Sequence, residues 1–283
     1  MPAIILSTLN ARYFHSSFGL RYLFANLGEL QTDAVIREFT ITQRPLDIVE
    51  QLLAEQPQII GFGVYIWNVA ETTQIVALIK QARPEVLIVL GGPEVSYEWE
   101  NQPIVGLADY LITGQADLAF LQLCRQWLNG DLPVEKVIVA EPPLLESLTS
   151  PYRFYNEEDI DHRLIYVEAS RGCPFRCEFC LSALDKTAWP FPLDPFLNEM
   201  AHLYHLGVRH FKFVDRTFNL NNKIVVRILE FFLERLDERL FLHFELIPDQ
   251  LPDALKTLIV QFPPGALQFE IGVQTFNPVV QAL

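Results

Sequence analysis

The chain has 283 residues, of which 50% are hydrophobic and 20% charged, and its formal net charge is −14. This composition argues against a disordered chain, and the acidic balance argues against general binding to the phosphate backbone of nucleic acids. No apolar run reaches the length of a membrane span and no basic leader precedes the first strand, so we expect a cytoplasmic protein with neither nucleic acid nor membrane as a partner.

Short β-rich runs alternate with helical patterns through residues 1–130. Strands are predicted at residues 3–7, 35–39, 59–64, 86–90 and 110–113, and helices at 19–30, from Pro45, at 69–83 and at 116–127. Repeated strand–helix units predict a doubly wound, Rossmann-like α/β domain, with ligands beyond the carboxyl ends of its parallel strands.

Residues 131–163 have a different composition, with prolines at 133, 142, 143 and 151. They predict a linker that carries one added strand at 136–140. The strand–helix rhythm then resumes in residues 164–283. Strands are predicted at 165–170, 211–214, 241–246 and 267–273, and helices at 223–235, at 253–260 and from an N-cap pair at Asp194 and Pro195. Four such units predict a complete or partial α/β barrel.

Three of the four cysteines, Cys173, Cys177 and Cys180, lie in one loop directly after a predicted strand, with the spacing C-x3-C-x2-C. Three thiolates at this spacing can hold three irons of a 4Fe-4S cluster and leave the fourth open for a chelating substrate. The carboxyl end of a strand is also where α/β barrels place their chemistry. Cys124, in contrast, lies in a helical apolar stripe and is predicted to be a core thiol.

Other interpretations of the cysteine loop stay open. A zinc site would need a fourth ligand such as His205 or His210, and structural zinc sites usually show paired C-x2-C units. A redox dithiol of Cys177 and Cys180 leaves Cys173 unexplained. Chance clustering of buried cysteines fits poorly, because proline, arginine and glutamate between the cysteines indicate a loop.

Residues 171–180, with the sequence RGCPFRCEFC, resemble the signature of the radical S-adenosylmethionine (SAM) superfamily. The resemblance implies a 4Fe-4S cluster on Cys173, Cys177 and Cys180, with SAM bound to the open iron and cleaved to a 5′-deoxyadenosyl radical. It places Phe179 near the adenine. It also implies an electron donor such as flavodoxin or ferredoxin as a partner.

The same resemblance suggests further contacts to SAM at the ends of later strands. Asp215 stands where the family has a glycine-rich motif that binds the SAM amino group, although the glycines are missing here. Glu245 and Gln274 follow the next two strands and are implied contacts to the ribose or carboxylate. The family barrel has six units, so we expect this barrel to be incomplete at its carboxyl end, with an exposed edge after strand 267–273.

A doubly wound domain followed by such a barrel resembles the cobalamin-binding class of radical SAM proteins. The features that carry this resemblance are residues 10–15 after the first strand, the Gly61–Gly63 strand end, and Gly91 and Gly92 after the fourth strand. Cobalamin is thus a further implied cofactor. His15 is not assigned as a cobalt ligand, because the Asp-x-His-x-x-Gly pattern is absent. The aromatic residues Tyr65, Trp67, Tyr97 and Trp99 are candidates either for a corrin pocket or for ordinary packing.

Three functions stay open at this point. The first is a cobalamin-type radical SAM enzyme that transfers a methyl group or rearranges an unknown small-molecule or peptide substrate. The second is a truncated, non-catalytic module that binds a cluster or cobalamin. The third is a zinc-stabilised α/β binding protein.

Overall fold

The computed structural model describes residues 2–184, 188–247 and 251–281. The chain divides into two compact units, Met1–Asn156 and Glu157–Leu283. None of the helices in these described ranges is both long and apolar enough to cross a bilayer. The two units are described in turn.

The first unit is built on a parallel sheet, with six strands in the described part of the chain. The strands are β1 (Ile4–Asn10), β2 (Ala34–Thr40), β3 (Ile59–Gly63), β4 (Leu87–Gly91), β5 (Tyr110–Thr113) and β6 (Val137–Val139). Their order is β2-β1-β3-β4-β5-β6, with every pair parallel. In this doubly wound order the connections reverse direction between β1 and β3, and ligands are expected beyond the carboxyl ends of those strands.

Helices cover both faces of the first sheet. They are α1 (Phe18–Ala25), α2 (Pro45–Ala54), α3 (Val69–Ala82), α4 (Pro93–Ser96), α5 (Pro103–Leu107) and α6 (Ala119–Asn129), with 3-10 turns at Gly28–Asp33, Trp99–Asn101, Leu145–Ser147 and Tyr152–Phe154. All of β1 is buried, because its alternate side chains enter two different cores. Ile5 packs in the core with α2 and α3, whereas Ile4 packs in the core with α1 and α6. Cys124 of α6 is fully buried in the latter core, as predicted.

The second unit contains a parallel four-stranded sheet and a short antiparallel ribbon within the described residues. Its strands are β7 (Ile165–Val167), β8 (Ser170–Gly172), β9 (Ala188–Pro190), β10 (His210–Phe213), β11 (Phe241–Leu246) and β12 (Leu267–Ile271). Its helices are α7 (Glu157–His162), α8 (Leu193–His205), α9 (Asn222–Leu233), α10 (Asp253–Ile259) and α11 (Pro278–Gln281), with 3-10 turns at Leu181–Leu184 and Phe218–Leu220. The sheet order is β12-β11-β10-β7, and β8 pairs with β9 in the ribbon. This arrangement confirms the α/β class predicted for both parts of the chain.

Aromatic side chains fill the core between the second sheet and its helices. The ring centroids of Phe213 and Phe244, on neighbouring strands, are 4.5 Å apart, and those of Phe218 and Phe244 are 4.1 Å apart. Phe211 contacts Phe232 of α9 with a centroid distance of 5.0 Å. The alternate residues of β10 therefore face the helices, as a strand period of two requires.

Several predicted boundaries differ from the structure for identifiable reasons. The helix predicted at 19–30 ends at Ala25, because the Asn26 side chain donates to the Tyr22 carbonyl and also bonds the backbone of Thr149. The N-cap position of α8 is Pro192, so Asp194 lies in the first turn of that helix instead of capping it. The predicted linker contributes β6 to the first sheet, and the compact units divide after Asn156.

Candidate functional site

The loop between β1 and α1 lies at the carboxyl edge of the first sheet and is held at both ends by one carboxylate. The Asn10 side chain donates to the His15 carbonyl at 2.9 Å and to Glu38 Oε1 at 3.1 Å. The backbone N–H of Ser17 donates to the same Glu38 oxygen. Because Glu38 is near the end of β2, these contacts fix the loop to the sheet.

A buried ion pair completes this network. Arg21 Nη2 lies 2.9 Å from Glu38 Oε2, and the two side chains are only 3% and 5% exposed. The Arg21 guanidinium also donates to the Ser17 carbonyl at 2.9 Å and stacks 4.7 Å from the Tyr155 ring centre. Burial raises the pKa of Glu38, but the charge of Arg21 and hydrogen bonds outweigh it, so the net pKa is below the ordinary value. Glu38 is therefore ionised at neutral pH.

The loop after β3 is fixed by a buried asparagine. Asn68 is fully buried, accepts a hydrogen bond from the Tyr65 N–H at 2.8 Å, and donates to the Leu9 carbonyl at 3.0 Å. The Trp67 indole N–H donates to the same Leu9 carbonyl at 3.2 Å, and its ring stacks on Tyr65 at 4.5 Å. The aromatic residues predicted here are thus rigidly placed beside the end of β1.

Large apolar side chains remain exposed in the segments that follow β1, β3 and β4. We call this set the carboxyl-edge residues; it comprises Tyr13 (49% exposed), Phe14 (39%), Ile66 (78%), Trp67 (44%) and Tyr97 (42%). Trp99, in contrast, is partly buried and packs against the core. Exposed apolar groups at a strand-end edge indicate a ligand surface, and aromatic rings suit the apolar face of a flat macrocycle. The residues present therefore fit cobalamin.

Gly91 and Gly92 carry the chain from β4 into α4, close to the end of β3. The Val64 N–H donates to the Gly91 carbonyl at 2.8 Å. Gly92 has φ +112, and a Cβ atom on it would collide with the backbone of Val64. Position 92 thus requires glycine, because the backbone of Val64 approaches it too closely for a side chain. A Cβ on Gly91, in contrast, would lie 3.6 Å from the Ile112 carbonyl oxygen, an ordinary contact.

We predict that Gly92→Ala destabilises the first unit by about 3 kcal/mol or more, because backbone strain of about 1–3 kcal/mol adds to the clash with Val64. The measurement is urea-induced unfolding of the cofactor-free chain. Gly91→Ala is the matched control and should cost at most about 1 kcal/mol, as for other unstrained changes. Equal losses of stability in both variants would contradict the close approach of Gly92 to the Val64 backbone.

The cysteine loop of the second unit lies between β8 and β9 in the chain. Arg171 and Glu168 form an ion pair of 2.7 Å beside it, with side chains 16% and 9% exposed. The Phe191 N–H donates to the Ala169 carbonyl at 2.9 Å. Because these residues leave the main sheet, β7 ends at Val167, three residues earlier than the predicted strand.

The three cysteines of the loop are free thiols. Cys173 is buried, Cys177 and Cys180 are exposed, and the Cys180 N–H donates to the Cys177 carbonyl at 3.0 Å. Within the described residues, no group of three or more His, Cys, Asp or Glu side chains is placed to hold a metal ion. The donor chemistry, three unpaired thiols in one loop, fits an iron–sulfur cluster, and metal sites are rarely preformed before the metal binds.

The histidines considered for a zinc site have other contacts. The His205 Nδ1 atom lies 2.7 Å from the Ala201 carbonyl oxygen of the preceding helical turn. The His210 ring packs edge-on against Phe241 at 4.6 Å. Phe179, inside the loop, is 69% exposed.

Asp215 follows β10 and is almost fully buried, with 2% exposure. Its Oδ2 accepts from the Ala169 N–H at 3.0 Å, and its Oδ1 accepts from the Ser170 hydroxyl at 2.6 Å. Burial raises the pKa of Asp215 to about 7, although these hydrogen bonds lower it. Asp215, Ser170 and Thr217 line a cavity of about 510 Å³ that also includes Lys223.

The other two predicted contacts lie at the ends of later strands. Glu245 Oε2 is 3.8 Å from Arg216 Nη1, so Glu245 is brought beside the residue that follows Asp215. Burial raises the pKa of Glu245, and the charge of Arg216 opposes this shift. Gln274 is exposed in the irregular segment after β12. The assignment of these residues to SAM stays a prediction.

Two polar residues near this edge, the partly buried Ser170 and the buried Asn219, were not predicted. Ser170 bonds Asp215, and Asn219 is fully buried with paired bonds to the backbone N–H and carbonyl of Ile247 at 2.9 and 2.8 Å. A polar residue beside a run of apolar ones, as in Phe218-Asn219-Leu220, was the available signal. Such a signal indicates a satisfied buried group, but its partner is distant in sequence.

Comparison with known proteins agrees with this architecture. The family model of the B12 binding domain matches residues 5–123. A structure of the radical SAM methyltransferase TsrM from Kitasatospora setae, with cobalamin and a 4Fe-4S cluster bound, superposes with a TM-score of 0.76 at 16% identity. The match covers 99% of this chain and 60% of that chain. At this level of identity the likeness shows a shared fold.

Two curated proteins are similar in sequence. The uncharacterized methyltransferase PH0819 of Pyrococcus horikoshii is 25% identical over 234 residues, which are 74% of this chain and 50% of that protein. The cobalamin-dependent radical SAM methyltransferase TokK of Streptomyces tokunonensis is 27% identical over 154 residues, 44% of this chain and 22% of TokK. The chain thus spans half or less of the length of these relatives.

Proposed function

We propose that this chain is a cobalamin-dependent radical SAM enzyme, because residues 5–123 match the family model of the B12 binding domain and the chain is similar in sequence to a cobalamin-dependent radical SAM methyltransferase. It binds a 4Fe-4S cluster and SAM, and it transfers a methyl group to, or rearranges, an unknown small-molecule or peptide substrate. The single observation that carries the proposal is the free three-thiol loop beside the carboxyl end of a parallel strand.

Cys173, Cys177 and Cys180 would hold the cluster. When bound, such a cluster supplies one electron to SAM and leaves one iron open for its amino and carboxylate groups. Two of the three thiols are exposed, which suits loading of a cluster from solution. A soluble electron donor such as flavodoxin or ferredoxin would be the redox partner.

Further residues of the second unit would bind SAM itself. Phe179 offers an exposed ring for the adenine, and Glu245 and Gln274 offer polar groups near strand ends. Glu245 is the stronger of these two candidates, because the nearby Arg216 guanidinium and the partly buried carboxylate already form a polar site. Parallel-sheet folds place ligands at this edge.

The first unit would hold cobalamin through the carboxyl-edge residues and the Gly91–Gly92 segment. The macrocycle would rest on Trp67, whose ring is fixed by Tyr65 and the Leu9 carbonyl. The proposal includes no histidine ligand to cobalt. The His15 carbonyl accepts from the Asn10 side chain, and its ring lies 4.3 Å from the Phe14 ring.

A second candidate is a non-catalytic cobalamin-binding module. It is favoured by one observation, that the family model of the B12 binding domain matches residues 5–123 and does not extend to the cysteine loop. In that case the first unit would bind cobalamin and the cysteine loop would bind no cluster. The carboxyl-edge residues support both candidates equally.

The products of SAM separate these candidates. The full chain is reconstituted anaerobically with iron, sulfide and hydroxocobalamin and is then incubated with SAM and a reductant. An enzyme releases S-adenosylhomocysteine if it transfers the methyl group, or 5′-deoxyadenosine and methionine if it cleaves SAM reductively; mass spectrometry measures all three. A non-catalytic module binds hydroxocobalamin and leaves SAM intact.

A further inference from the structure

The Asp215 carboxylate attaches the base of the cysteine loop to the main sheet of the second unit. Its two oxygens accept from consecutive residues, the Ala169 N–H at 3.0 Å and the Ser170 hydroxyl at 2.6 Å. Ser170 precedes Cys173 by three residues. The carboxylate therefore connects the end of β10 to the chain just before the first thiol.

The other side of the loop depends on the same attachment. The Ala169 carbonyl accepts from the Phe191 N–H, which follows β9, and Ser170 pairs with Pro190 in the ribbon. The segment that enters the loop and the segment that leaves it therefore meet at residues 169 and 170. Asp215 holds those two residues from the sheet side, with only 2% of its surface exposed.

We propose that Asp215 is a positioning residue that fixes the cysteine loop to the sheet, and that it does not contact SAM directly. The inference rests on the proposed function. An anchored base reduces the conformational entropy that the loop loses when three thiolates close around one cluster. The loop begins directly after Gly172, the last residue of β8, which adopts φ +96.

The protonation of Asp215 agrees with this role. Burial raises its pKa to about 7, so at neutral pH a large share of the molecules carries a neutral carboxyl group. A neutral group is a weak partner for the ammonium of SAM, whereas it can still hydrogen-bond Ser170 and Ala169. Each oxygen already accepts one hydrogen bond from these protein donors.

Three variants distinguish positioning from direct contact. Asp215→Asn keeps an oxygen that can accept from the Ala169 N–H and an amide that can donate to the Ser170 hydroxyl, but it removes the carboxylate. Asp215→Ala removes both bonds, and Ser170→Ala removes one. Asp237→Asn is the matched control, because Asp237 forms an ion pair with Arg209 elsewhere in the same unit.

Two quantities are measured on the full, anaerobically reconstituted chain: the chelator concentration that removes half of the iron, and the dissociation constant for SAM. For Asp215→Ala we expect the chelator concentration to fall about fivefold or more, and for Ser170→Ala by a smaller factor. Asp215→Asn and Asp237→Asn should remain within about twofold of the wild type in both quantities. Circular dichroism checks folding, and Ser170→Ala decides the question if Asp215→Ala does not fold.

Two results would overturn the inference about Asp215 and leave the proposed function intact. One is iron retention in folded Asp215→Ala, or in Ser170→Ala, equal to that of the wild type. The other is a tenfold or greater loss of SAM affinity in Asp215→Asn with the cluster intact, which would make Asp215 a direct ligand. A wild-type chain that takes up no cluster would instead remove the proposed function, and the inference with it.

Discussion

Cys177→Ala is expected to abolish the iron–sulfur cluster, lowering the iron content of the anaerobically reconstituted chain from about 4 to below about 1 per chain. A cluster held by three protein thiolates has no spare protein ligand, since its fourth iron is reserved for substrate. Cys177 is exposed and lies in an irregular loop, so the substitution should leave the fold intact. Iron and sulfide analysis, together with the brown absorption of the cluster, measures the effect.

Cys124→Ala is the control for that prediction. Cys124 is fully buried in α6, and burial raises the pKa of its thiol to about 12, so it is not available as a thiolate ligand. The control should retain a full complement of iron. Iron lost from both variants would indicate nonspecific binding to thiols, and iron kept by Cys177→Ala would exclude the three-cysteine site.

Glu38→Leu is expected to destabilise the first unit by about 3–5 kcal/mol, because it leaves a buried guanidinium without its counter-ion. Arg21 and Glu38 are 3% and 5% exposed, so water cannot replace the lost partner. The Asn10 amide and the Ser17 N–H lose their shared acceptor as well. Urea-induced unfolding of the cofactor-free chain measures the change.

The double variant Arg21→Met/Glu38→Leu tests the physical cause. Removing both charges should recover much of the lost stability, as happens when buried ion pairs are replaced by apolar side chains. Asp47→Asn, which breaks an exposed pair with Arg44, is the control and should cost less than about 1 kcal/mol. A double variant no more stable than Glu38→Leu would contradict the charge-based explanation.

The Arg21–Glu38 ion pair predicts that the first unit loses stability in acid. The folded-state pKa of Glu38 is below its ordinary value. Its contribution is therefore complete above the unfolded pKa, about 4.3, and is lost as the pH falls through the lower folded pKa. Wild type and Glu38→Leu should accordingly converge in stability in acid, because both then hold a buried guanidinium without its counter-ion.

The sequence was sufficient to predict the strand–helix order of the first unit. Parallel strands covered on both faces are continuous apolar runs, and Leu87–Gly91 and Tyr110–Thr113 are runs of this kind. The predicted strand at 110–113 has the observed bounds. Patterns of this kind depend only on neighbouring residues, which is why they can be read without the structure.

The contacts that fix the candidate site depend on residues that are distant in sequence. Asp215 and Ser170 are 45 positions apart, and Glu38 bonds Arg21 in helix α1 and Asn10 at the end of β1. Local patterns would place Arg21 and Glu38 on the surface, because charged residues are rarely buried unless they are paired. The spacing of the three cysteines could be recognised from the sequence, since they lie within one loop. The spatial arrangement of their thiols could not be predicted in this way.

The electron spin resonance spectrum of the reduced 283-residue chain, recorded with and without SAM, tests most directly whether the cysteine loop carries a cluster with an open iron. We predict a signal from a reduced 4Fe-4S cluster whose g values change when SAM is added. A chain that takes up no iron and sulfide under oxygen-free conditions, or a cluster whose spectrum is indifferent to SAM, would contradict the assignment.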